Sequence, residues 1–220
     1  MPTVDAARAL VGRLGTAVTF YKIGLELVMS GGLILARDLV QEGKRVFLDM
    51  KLLDIENTVE RAVRSAARGG VTFLTVHAHD TKTMRAAIAG RAGSGLKILG
   101  VTVLTNLGAD DVREQGIAAA PGDLVVRRAT LARDAGCDGI VASGLEAAAV
   151  RSAVGPNVTI VTPGIRLPGD DAGDQARVAS PGAAIAAGAD YIVVGRPISA
   201  SPDPLRAAQH FVRQIEDASP

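Results

Sequence analysis

Seven short runs of β-branched and apolar residues recur along the chain, separated by longer Ala- and Leu-rich stretches with helical spacing. The runs fall at 18–23 (VTFYKI), 46–50 (VFLDM), 72–76 (TFLTV), 97–103 (KILGVTV), 138–142 (DGIVA), 158–162 (VTIVT) and 190–194 (DYIVV). Each is nearly continuous in apolar residues instead of alternating with polar ones. That is the pattern of parallel strands covered on both faces. Helices fit near 3–13, 31–42, 56–68, 81–90, 122–135, 144–153, 180–187 and 203–216. Strict alternation of strand and helix predicts an α/β fold, either a barrel or an open sheet.

Closing a (β/α) barrel takes eight strands. The chain offers seven and opens on a helix, whose Val4, Ala7, Leu10, Val11 and Leu14 share one face. Two expectations follow: a (β/α)8 TIM barrel lacking its first β-strand, or a seven-stranded open sheet. No linker or composition break divides the chain. It reads as a single (β/α) barrel domain over 1–220, N-terminally truncated before the first helix.

Charge narrows the function. With 24 basic and 23 acidic residues, the chain has no strong field to steer it onto nucleic acid, and aromatics at 3% leave few rings for stacking bases. No apolar run approaches the roughly 18 residues of a membrane span, and no signal peptide opens the sequence. The lone Cys137 has no partner for an internal disulfide, which points to a reducing cytoplasm. Its place just before a strand suggests packing.

The sharpest cluster is Asp49-Met50-Lys51-Leu52-Leu53-Asp54 at the C-terminal end of an apolar strand. Asp49 and Lys51, two apart, point to one face of a strand. In a barrel that face is the interior, and active sites sit at this end. Charges held there out of water must pair or shift their pKa values. An acid–base–acid array keeps Lys51 charged and ready to donate a proton; a plain strand-end salt bridge is the competing reading.

Gly164-Ile165-Arg166 and Gly195-Arg196 follow the last two strands, where many barrels bind phosphate. Glycine lets the backbone approach an anion, and Arg166 and Arg196 can supply bidentate hydrogen bonds. His77 and His79 form H-x-H, but the third histidine, His210, lies in the last helix, so a metal site is disfavoured. The stretch 163–177, PGIRLPGDDAGDQAR, is long for a structureless loop in a compact domain, as active-site lids are.

These residues resemble the orotidine 5′-phosphate decarboxylase family over essentially the whole chain. The matching stretches are FYKIG at 20–24, FLDMKLLDIENT at 47–58, TVHA at 75–78, VTVLT at 101–105, TPGIR at 162–166, GDQ at 173–175 and VGRPI at 194–198. The resemblance implies decarboxylation of orotidine 5′-monophosphate to uridine 5′-monophosphate, in pyrimidine nucleotide biosynthesis, without metal or organic cofactor. It implies that Lys51 protonates C6 and that Asp49 sits beside the substrate carboxylate. Lys22 would bind the ribose and Thr105 the pyrimidine. Gln175 would bridge base and phosphate; Arg166, Gly195 and Arg196 would hold the phosphate. It further implies a homodimer in which Asp54, with Ile55 and Thr58, enters the partner's site. Family members begin with a strand ending in an Ala-Leu-Asp type motif, and Met1 aligns just after it. Two alternatives stand beside this reading: a metal-dependent sugar-phosphate decarboxylase or aldolase of the same superfamily, and a truncated, non-catalytic phosphate-binding chain.

Overall fold

The computed structural model describes residues 1–167 and 177–218. All seven expected strands form: β1 (Phe20–Gly24), β2 (Arg45–Leu52), β3 (Phe73–His77), β4 (Lys97–Val101), β5 (Gly139–Val141), β6 (Thr159–Thr162) and β7 (Tyr191–Ile192). They pair in sequence order, every pair parallel, as one curled sheet. Among the described residues no strand pairs with the outer edge of β1 or of β7.

The eight expected helices are α1 (Val4–Leu14), α3 (Gly32–Gln41), α4 (Glu56–Arg68), α5 (Thr81–Gly90), α7 (Pro121–Ala135), α8 (Ala147–Val154), α9 (Pro181–Ala186) and α11 (Pro204–Glu216). Three short ones escape the sequence reading: α2 (Leu25–Met29), α6 (Ala109–Glu114) and α10 (Arg196–Ser199). Each is short and buries at most one residue, so it carries too little periodicity to register. Caps fix several starts. Thr3, Asp80, Ser180 and Asp203 each accept a backbone N–H of the first turn through the side chain.

The strand period of two divides the apolar residues into two cores. Val46, Leu48, Leu74, Ile98, Ile140 and Ile160 face outward and pack under the helices. Phe47, Phe73, Leu99 and Val161 face inward, with Phe20, Val141, Tyr191 and Val193 against them. The inner aromatics meet edge to face, Phe20 to Phe73 at 5.1 Å and Phe73 to Tyr191 at 5.3 Å between centroids. This plug fills the floor of the barrel and leaves the C-terminal strand ends for chemistry.

A repeated clamp secures that floor. Asp138, just before β5, accepts the Ile98 N–H at 2.8 Å and pairs with Arg91 at 3.1 Å. Asp190, just before β7, accepts the Ile160 N–H at 2.7 Å and pairs with Arg151 at 2.6 Å. Each carboxylate ties the start of one strand to its neighbour and to a helix end.

Among the described residues β1 and β7 do not pair, although α1 and α11 touch outside them. Two cavities, about 400 and 420 Å³, lie along this seam and share Val18, Phe20, Lys22, Val193, Val194 and Ile198. β7 is shorter than its apolar run suggests, pairing with β6 at Tyr191 and Ile192.

Candidate active site

Three charged side chains meet at the C-terminal mouth of the sheet. The Lys51 ammonium lies 2.8 Å from Asp49 Oδ1, and the Lys22 ammonium, from β1, lies 3.2 Å from Asp49 Oδ2. Burial alone would raise the Asp49 carboxyl. Lys22 and Lys51, with hydrogen bonds from Lys51 and Thr75, outweigh that cost and hold it below the ordinary carboxylate value.

The backbone here is unusual. Between the pairs Leu48↔Leu74 and Leu52↔Val76, Asp49, Met50 and Lys51 on β2 stand opposite the single residue Thr75 on β3. This is an oversized bulge, a device that re-aims side chains at functional sites. Lys51 has φ of +50°, the one left-handed non-glycine among the described residues. Such a conformation costs about 1–2 kcal/mol. Thr75, fully buried, answers the missing ladder bonds. Its hydroxyl accepts the Lys51 N–H at 2.9 Å and donates to Asp49 Oδ1 at 3.0 Å.

One cavity of about 310 Å³ collects the array and the loops beyond it. Lys22, Asp49 and Lys51 line one part. Thr105 and Asn106 come from the loop after β4, Gly164 and Arg166 from the loop after β6, and Gly195 and Arg196 from beyond β7. A side chain at Gly195 would meet no atom within 4 Å, so the backbone there is open to approach. Asp54, Ile55 and Thr58 do not line the cavity. They are exposed at the start of α4, where Asp54 Oδ1 accepts the Ile55 N–H at 2.7 Å. The chain thus brings together Lys22, Asp49 and Lys51, and the expected acid–base–acid array of Asp49, Lys51 and Asp54 does not assemble in its cavity. Gln175 lies outside the described residues.

The histidines of H-x-H stack with centroids 4.5 Å apart. Burial first, then Lys51 and Arg128, lowers His77, against an opposing effect of Asp49. His79 is lowered to about 4 by burial, Arg128 and His77. Neutral imidazoles beside the array add no further positive charge. Burial, with Asp138 nearby, pushes the Cys137 thiol up to about 12, so it is inert packing.

Besides Thr75, sequence reasoning missed Arg177 and Glu146. Arg177 pairs with Glu146 at 2.7 Å and donates to the carbonyls of Val103 at 3.3 Å and Leu104 at 2.8 Å. It thereby ties the chain after residue 176 to the loop that carries Thr105. Nearby, the Arg166 N–H donates to the Ala179 carbonyl at 3.0 Å, joining the two sides of the 168–176 segment.

A curled parallel α/β sheet with a lysine–aspartate–lysine array and two Gly-Arg loops around one strand-end cavity is the arrangement of a (β/α)-barrel enzyme. The family model described as orotidine 5′-phosphate decarboxylase / HUMPS matches residues 1–211. The chain is 56% identical over 218 residues to orotidine 5′-phosphate decarboxylase of Methylorubrum extorquens, covering 99% of this chain and 93% of that protein. It is 53% identical to the Nitrobacter winogradskyi enzyme of that name, covering 98% and 89%. The crystal structure of orotidine 5′-phosphate decarboxylase from Lactobacillus acidophilus matches with a TM-score of 0.86 at 33% identity, covering 98% of this chain and 95% of that one. The chain belongs to the orotidine 5′-phosphate decarboxylase family. Its activity is decarboxylation of orotidine 5′-monophosphate in pyrimidine nucleotide synthesis, and the metal-dependent sugar-phosphate alternative is not favoured. No helix among the described residues is long and apolar enough to cross a membrane.

Proposed function

We propose that Lys51 is the acid that protonates C6 of the pyrimidine as carbon dioxide leaves, with Asp49 beside the departing carboxylate and Lys22 on the ribose. Loss of the carboxyl group leaves a carbanion-like centre that the ring delocalises poorly. A fixed ammonium lowers the energy of that charge and then quenches it with a proton. Thr105 contacts the base, Arg166, Gly195 and Arg196 hold the phosphate, and Gln175 bridges the two. Phosphate contacts are remote from the breaking bond, so their binding energy is available to organise the charged end. One observation carries this reading: the Lys22–Asp49–Lys51 array and both Gly-Arg loops line the same cavity.

The chain serves as one catalytic domain in the cytoplasm and works as a homodimer. Met29 is 82% exposed and Ile55 67%, with Leu33, Ile34 and Leu53 also in solvent. Apolar exposure on this scale, along α2 and α3 and in the loop before α4, favours a partner surface, across which Asp54, Ile55 and Thr58 reach the second site. Turnover and product binding by Lys51→Ala test the assignment. The turnover number should fall at least roughly 10²- to 10³-fold, while uridine 5′-monophosphate still binds. Near-normal turnover would refute the role given to Lys51.

A further inference from the structure

We infer that Thr75 is a positioning residue for the decarboxylation: its one hydroxyl sets both the lysine and the carboxylate of the array. The inference rests on the catalytic reading of Asp49 and Lys51.

The argument starts from the bulge in β2. Three residues there oppose one on β3, so the regular ladder between the strands is interrupted where Asp49 and Lys51 must be aimed inward. A left-handed lysine inside a strand has no intrinsic preference for its conformation and must be held by its surroundings. Among the hydrogen bonds of the described residues, the Lys51 N–H is taken up by Thr75 Oγ1. The same oxygen carries the proton given to Asp49 Oδ1. A hydroxyl has one donor and two acceptor positions, so both contacts are compatible and their directions are fixed. The Asp49 oxygen that Thr75 contacts is also the one facing the Lys51 ammonium. Thr75 thus closes a ring that runs from the lysine backbone through the hydroxyl and carboxylate to the lysine's own side chain. Its side chain is fully buried, one strand step above Phe73 in the aromatic floor, and so has little freedom to drift.

This arrangement separates positioning from binding. Thr75 does not line the cavity, so it does not touch the nucleotide. Its loss should displace the reacting groups and leave the phosphate and base contacts in place. A misplacement of about 1 Å at a reacting centre costs on the order of 100-fold in rate.

Thr75→Val, which keeps the shape and β-branching but not the hydroxyl, is the primary variant. It should lower kcat on the order of 100-fold, leaving KM for orotidine 5′-monophosphate and Kd for uridine 5′-monophosphate near their original values. Thr75→Ser should restore most of the rate. Full kcat in Thr75→Val overturns the inference. So does a parallel loss of kcat, substrate binding and thermal stability, or a serine variant as impaired as valine. If valine does not fold, Thr75→Cys, a weak donor of similar size, is held to the same split. Lys51→Met, assayed alongside, distinguishes the two levels. An active Lys51→Met overturns the catalytic reading and this inference together. An inactive Lys51→Met with a fully active Thr75→Val overturns only the role of Thr75.

Discussion

Asp49 is the residue on which the charged site turns, since among the described residues it alone touches both ammonium groups and the Thr75 hydroxyl. Its lowered pKa has a definite sign. The carboxylate persists as pH falls through the ordinary range near 4, and the stability it contributes, present above the unfolded value, is lost only as pH drops through the lower folded value. Lys22→Met removes a charge that lowers Asp49, so the acidic limb of the pH–kcat profile should move to higher pH; an unmoved limb would contradict the coupling. At the other end of the cavity, loss of a charge-assisted hydrogen bond costs about 2 kcal/mol. Arg196→Ala should therefore raise KM for the nucleotide roughly 10- to 100-fold, with little change toward the free nucleoside. Lys51 and Asp49 were legible as residues because i, i+2 spacing at a strand end predicts a shared face. Thr75 obeys the same spacing relative to Phe73 and His77, but a threonine in an apolar strand looks like ordinary β propensity until the bulge is seen.

At the scale of elements, continuous apolar runs located every described strand, since burial on both faces leaves a strong signal, and helical spacing located eight of the described helices. The bulge was not legible, because two extra residues in β2 disturb pairing with β3 without disturbing composition. The twin aspartate clamps were also hidden. Asp138 and Asp190 head similar runs, DGIVA and DYIVV, yet their arginine partners lie 47 and 39 positions upstream. Contact between α4 and α5 depends on the absence of a side chain at Gly90. A Cβ there would come within 2.4 Å of the Glu60 carbonyl oxygen and 2.9 Å of Val63. Alanine ordinarily strengthens a helix relative to glycine by about 1 kcal/mol, but overpacking against backbone costs about 1–3 kcal/mol. Gly90→Ala should lower the urea midpoint, and Gly90→Val should lower it further. A rise with alanine would show that the helices separate freely.

The molecule as a whole poses the question of completeness. The resemblance implies Asp54, Ile55 and Thr58 as residues of a partner's site, and this chain leaves all three in solvent, away from its own cavity. If the dimer shares them, two inactive variants should complement. Mixing Lys51→Ala with Asp54→Ala, then dissociating and reassociating the subunits, should regenerate about one quarter of the sites in a two-fold symmetric pair. No recovery on mixing would place Asp54 outside the partner's chemistry.

The cavity reaches from β1 to the residues that follow β7. Lys22 projects from β1 and Arg196 follows β7, so a molecule that fills the space between them touches both ends of the described sheet. The ligand then acts as a strut between those two strands. Amide deuterium uptake should slow on saturation with uridine 5′-monophosphate, most at 20–24 and 191–195 and least at β4, which is braced on both flanks.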